Sequence, residues 1–121
     1  HALLYPDFWS AAACHSGDMA FEWVYLPEFP PVLRALSRSG FDFKGWVEDF
    51  HAAKKTNDKD MHVLMMLAMG ATYDPDPDAP FGIRLPVDHE TCEIIPERWK
   101  NFMAWDPIVM AERLGPGLKK L

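Results

Sequence analysis

Cysteine, clustered basic residues and long apolar runs are scarce in this sequence, and each scarcity removes a class of protein. Two cysteines, Cys14 and Cys92, are too few for a disulfide framework and stand at no metal or redox spacing. Twelve Lys and Arg against eighteen Asp and Glu leave a net charge of -6. Phosphate recognition needs clustered cations, so no nucleic-acid partner is expected. The basic pairs Lys54-Lys55 and Lys119-Lys120 sit beside expected helix ends, where they complement helix dipoles. The longest apolar run, Met61 to Ala71, is interrupted by His62 and falls short of the roughly 20 residues that cross a bilayer. With no spanning segment and no readable secretory signal, the chain is expected to avoid membranes and to be cytoplasmic. No internal repeat is visible.

What is present is ample apolar material: 49% of the 121 residues, enough for the core of one domain. Ala11 to His15, ahead of Ser16-Gly17-Asp18, reads as one buried strand ending in a turn. Such a strand needs hydrogen-bond partners from elsewhere. Pro30-Pro31 before Val32 to Leu36, with Gly40 behind, marks a short helix. Asp42 caps a second, on which Phe43, Trp46, Val47 and Phe50 form one aromatic stripe. Asn57 or Asp58 caps a third through Met61 to Met69, apolar nearly all round and therefore expected to be buried. Asp74 to Pro80 must be extended, because each proline moves the residue before it out of helical space. Gly82 to Val87 and Cys92 to Ile95 flank Asp88-His89-Glu90-Thr91 as a small hairpin, with Pro86 confining its strand to an edge. Pro96 opens a helix burying Trp99, Phe102 and Met103. Asp106-Pro107 caps a last one that Gly115-Pro116 ends.

Three stretches resemble esterases of the enterochelin-esterase and esterase-D kind in the α/β-hydrolase superfamily. They are Tyr5-Pro6-Asp7-Phe8-Trp9-Ser10-Ala11-Ala12-Ala13-Cys14-His15-Ser16-Gly17-Asp18, then Ala71-Thr72-Tyr73-Asp74-Pro75-Asp76-Pro77, then Leu85-Pro86-Val87-Asp88 with Thr91-Cys92-Glu93 and the Trp99 helix. The resemblance implies a mainly α fold with a small β-hairpin and one leftover strand, a fragment of an α/β-hydrolase. Residues 1–18 would be the end of the nucleophile helix and a core strand, 19–114 a helical lid, and 115–121 a linker toward the next strand. It further implies carboxylic-ester hydrolysis through an acyl-enzyme, with a small-molecule ester bound by the intact parent and no cofactor. The G-x-S-x-G elbow of that family is not in the sequence, and its triad acid and histidine would follow Leu121. His1, in place of Met, and the opening Ala-Leu-Leu-Tyr-Pro read as a cut chain, expected to be inactive alone and to form homo-oligomers through its uncovered surfaces. Cys92 stands where related turns read T-G-E, which argues against a left-handed backbone there.

No catalytic residue can be assigned. His15, Ser16 and Asp18 lie too close along one strand to converge as a triad, since alternate side chains point to opposite faces. At the carboxyl edge of a parent sheet they would contribute to substrate binding, with Trp46 in the lid. The bland reading is that Ser16 and Asp18 bond turn backbone. Asp74, Asp76 and Asp78 copy the start of a calcium loop, but Ala79 and Leu85 occupy its glycine and glutamate positions, leaving a solvated acidic turn. His89, Glu90, Cys92 and Glu93 have no zinc spacing and read as a polar hairpin tip. No metal is expected. His51 and His62 read as partly buried histidines with backbone partners, and Met61, Met65, Met66 and Met69 as adaptable core or pocket wall. Two alternatives remain: an independent glycoside hydrolase using Glu48 and Asp49 or Glu90 and Glu93, and a non-catalytic interaction module.

Overall fold

Apolar spacing determines which helix faces are buried. In a computed structural model that describes residues 1–55 and 57–116, α1 (Phe21–Val24) is a single turn and α2 (Phe29–Leu36) is entered through Pro30 and Pro31. Phe29, Val32, Leu33 and Leu36, at i, i+3, i+4 and i+7, are all buried. Gly40 then adopts φ 62, and the Phe41 N–H returns to the Leu36 carbonyl at 3.0 Å, stopping the helix. Helix α3 (Phe43–Ala52) starts on Asp42, whose side chain accepts from the Gly45 N–H. A Cβ at Gly45 would lie 2.4 Å from an Asp42 carboxylate oxygen, so a larger residue there would require the Asp42 side chain to shift.

Helix α4 (Asp58–Tyr73) is capped by Asn57, one of the two residues expected there, but it is not buried all round. Val63, Met66, Leu67 and Gly70 face the core, whereas Met61, His62 and Ala68 are exposed. Sixteen residues have neighbours on one side only. Gly70 admits the incoming chain, since a Cβ there would lie 3.1 Å from Ile83 Cγ2. The hairpin is reduced to one antiparallel bridge, Val87 with Ile94, flanked by Asp88 N–H to Glu93 O at 2.8 Å and Ile95 N–H to Pro86 O at 2.9 Å. Asp88 Oδ1 accepts from Glu90 N, Thr91 N and Thr91 Oγ1, holding the tip together. Contrary to expectation, Cys92 does enter the left-handed region, at φ 61. Tip bonding outweighs the side-chain penalty there.

Helices α5 (Pro96–Met103) and α6 (Pro107–Leu114) complete a mainly helical fold. Trp99 and Phe102 are buried, with Met103 half-buried. The principal core joins Phe21, Phe29, Leu36, Met66, Leu67, Leu85 and Phe102. The expected strand at Ala11 to His15 is absent: these residues are exposed and have no regular structure. Its backbone lacks a neighbouring strand to pair with, and three successive alanines offer little apolar area to fix it. No helix among the described residues is long and apolar enough to cross a membrane. The expected linker at 115–121 lies outside the described residues beyond Pro116, as does Lys119-Lys120.

Candidate functional site

The four residues expected at a substrate site fall in two neighbourhoods. His15 and Ser16 are exposed on the N-terminal arm, with Ser16 at φ 57. Asp18 ends that arm and is held by the body: the Tyr25 hydroxyl donates to Asp18 Oδ2 at 2.7 Å. Its partner is therefore a phenol rather than turn backbone. Burial, and then the bond to Asp18, push the Tyr25 pKa well above its ordinary value; burial followed by the Asp18 charge raises that of Tyr73. Beside this junction Asp106, 1% exposed, accepts from Ala20 N at 3.1 Å and Phe21 N at 2.8 Å while capping α6 through Ile108 N at 2.9 Å.

Trp46 lies elsewhere, half-buried on α3 and stacked on Phe50 with ring centres 5.5 Å apart. These rings wall a groove of about 350 Å³ that runs, through Ala35, Arg38 and Asp60, into a larger cleft of about 510 Å³ between α2 and the start of α4. Pro31, Val32, Ala35 and Val63 supply apolar lining in the larger cleft; Arg34, Arg38 and Lys59 supply positive charge and Glu28, Asp58 and Asp60 negative charge. A volume of this size suits a small organic ligand. The sequence singles out Trp46 as an aromatic on a helix face but not the charged residues of the cleft, because the pattern that unites them is the packing of α2 on α4.

Several other expectations are revised. His51 and His62 are exposed; His62 Nδ1 lies 3.0 Å from Glu28 Oε2 rather than a backbone group, and His51 packs edge-on against Phe50. Asp74 and Asp76 do not form a solvated turn. Arg98 lies 3.0 Å from a carboxylate oxygen of each, and Arg84 Nε lies 3.3 Å from Asp76. Glu48 pairs with Lys44 at 3.8 Å on the surface, while Glu90 and Glu93 are exposed on the hairpin. Among the described residues, no cluster of three or more His, Cys, Asp or Glu is placed to hold a metal ion.

The hairpin tip is less polar than its sequence implies. His89 turns inward, stacked on Phe41 at 4.6 Å and edge-on to Phe43 at 5.7 Å. Burial lowers its pKa from the ordinary 6.5, opposed by Asp88 and reinforced by Arg84. The unfolded chain then binds a proton that the folded chain resists. This contribution to stability is full above pH 6.5 and is lost as pH falls toward the depressed folded value. Urea midpoints measured from pH 7.5 down to 5 should therefore decline less in His89→Gln than in the native chain. Parallel declines would remove His89 as the cause.

Compared with protein-family models, curated proteins and solved structures, the chain matches none.

Proposed function

We propose that the chain is the helical, substrate-covering segment of a serine carboxylic-ester hydrolase whose elbow serine and remaining triad lie elsewhere in the polypeptide. One observation carries this reading: the stretch resembling a parent core strand is the one left outside the helical core. Leu4, Tyr5 and Trp9 are 40%, 53% and 45% exposed, and Phe8 is 87% exposed, although the helical body packs a core of its own. An apolar arm of this kind calls for cover from a sheet or another chain.

In this reading the chemistry is nucleophilic attack on the ester carbonyl, acylation of the elbow serine and hydrolysis by water. This segment excludes water and contributes to the site from two separate neighbourhoods, with Trp46 as apolar wall on α3 and Asp18, positioned by Tyr25, where the arm joins the body. In the full-length product of the gene, Trp46→Ala should shift the kcat/KM ratio for octanoyl over acetyl esters by about tenfold, the value of a few buried methylenes. Asp18→Ala should lower both values more than Asp78→Ala does. A full-length product that neither hydrolyses activated esters nor reacts with a serine-directed phosphonate overturns the reading.

The same exposure, together with Trp23 at 83%, also favours an interaction module without catalysis. A compact assembly of the 121-residue chain combined with phosphonate inertness of the full-length product would select it.

A further inference from the structure

The chain changes character at Asp18. From there it is held to the body: the Tyr25 hydroxyl donates to Asp18 Oδ2 at 2.7 Å, and Ala20 N and Phe21 N donate to Asp106 at 3.1 and 2.8 Å. Ahead of it, residues 9–19 form no backbone–backbone hydrogen bond among the described residues, and residues 7–19 are all exposed. The first residues of the arm turn on themselves instead, with Tyr5 N bonded to His1 O at 3.0 Å and Phe8 N to Tyr5 O at 3.1 Å. Other connections are tied down. Arg98 holds Asp74 and Asp76, Asp88 holds the hairpin tip, and the α3–α4 connection opens on Ala53, whose N–H is bonded to Asp49 O at 3.0 Å. An endopeptidase binds its substrate as an extended strand, so a bonded segment has to open before it is cut. Residues 9–19 have no such bonds to break.

The middle of this stretch is Ala11-Ala12-Ala13, with Ser10 before it and Cys14 after. We propose that it is an endopeptidase processing site, cut by a serine peptidase with a small specificity pocket, at which the aromatic arm is severed from a body that stays folded. Alanine fits such a pocket, whereas the Lys54-Lys55 pair of the α3–α4 connection does not. The step is hydrolysis of one Ala–Ala or Ala–Cys amide. The carbonyl carbon takes the hydroxyl of water and becomes a carboxylate, and the departing nitrogen takes the proton and becomes a new amino terminus. The peptidase supplies nucleophile and base; this chain supplies access and fit. The body keeps its packing because its core contains no residue before Phe21, and its junction bonds all lie beyond the cut. The site is a property of the uncovered chain and does not rest on the ester-hydrolase reading.

Digestion of the 121-residue chain with an elastase, followed by mass spectrometry, tests the site. The first cut should follow Ala11, Ala12 or Ala13, at a rate within about tenfold of that for a free peptide of residues 9–19, because no opening step precedes cleavage. Prolonged digestion should leave a product that begins no later than Asp18 and keeps the helical circular dichroism and urea midpoint of the uncut chain. Ala11→Glu/Ala12→Glu/Ala13→Glu brings a charge to the small pocket and should slow the cut about tenfold or more. The three positions are exposed and unbonded, so the uncut variant should have native helicity. The proposal is overturned if the first cut falls at or beyond Asp18, if cleavage is slower than the limit set by the free peptide, if the Glu variant is cut in this stretch as fast as the native chain, or if the product unfolds.

Discussion

Asp106→Ala is expected to lose roughly 3–5 kcal/mol of folding stability, a large part of what a domain of this size possesses. Asp106 is the one buried polar or charged side chain among the described residues, and its two oxygens receive three backbone N–H groups from two segments far apart in sequence. Alanine leaves Ala20, Phe21 and Ile108 without their acceptor. It also removes the cap of α6, worth about 1 kcal/mol alone. The loss extends beyond a helix end, because Ala20 holds φ 57 and the Asp106 bonds fix the backbone where the arm joins the body. Asp106→Ser should keep the cap but not both long-range bonds, and so fall between. Urea unfolding followed by helical circular dichroism gives the energies; hydrogen exchange at Ala20 and Phe21 reports the junction. A loss below about 1 kcal/mol, with both amides still protected, would show that solvent or a neighbour replaces the carboxylate.

Asp106 also marks where sequence reading stops. Its role at the α6 N-terminus was legible, as were the caps Asp42 and Asn57, because capping acts over two or three residues. Helix α2 was legible as a short helix between Pro30-Pro31 and Gly40, while its buried face, Phe29, Val32, Leu33 and Leu36, comes from the structure. The bonds from Asp106 to Ala20 and Phe21 span 86 and 85 positions and leave no local pattern. Ala11 to His15 failed in the opposite way. A run of small and apolar residues is compatible with a strand, but a strand is a relation between two segments, and the described residues provide no partner for this one. Cys92 failed because the hairpin tip is held by three bonds to Asp88, and these decide the backbone against the preference of the side chain. At the candidate site Trp46 was legible as an aromatic on a helix face; Arg34, Arg38 and Lys59 acquire meaning only once α2 and α4 form one cleft.

Arg98→Ala should cost about as much as Asp106→Ala, roughly 3–5 kcal/mol, for an electrostatic reason. The Arg98 side chain is 12% exposed and holds Asp74 and Asp76, 13% and 17% exposed, at 3.0 Å each. Its alignment is uneven. The Nη2 contact to Asp76 is a hydrogen bond, whereas Asp74 Oδ2 and Arg98 Nε have no well-directed partner, so the Asp74 contact is chiefly charge attraction. Asn101 donates to the other Asp74 oxygen at 2.7 Å, and Arg84, 53% exposed, offers Asp76 a screened substitute. Removing Arg98 therefore leaves two poorly solvated carboxylates without their cation, and it leaves Asn101 as the side-chain hydrogen bond from α5 to Asp74. The remedy distinguishes charge from packing. Arg98→Ala/Asp76→Asn removes one of the stranded charges and should recover about 1–2 kcal/mol, although it deletes a further native contact. A purely steric role for Arg98 predicts the reverse, a double variant no more stable than Arg98→Ala. Chemical unfolding of native, single and double variants at pH 7 decides between them, with Asp76→Asn alone completing the cycle. Recovery in the double variant means that Arg98 acts mainly by neutralising the two aspartates; further loss means that it acts as a packed strut between the loop and α5.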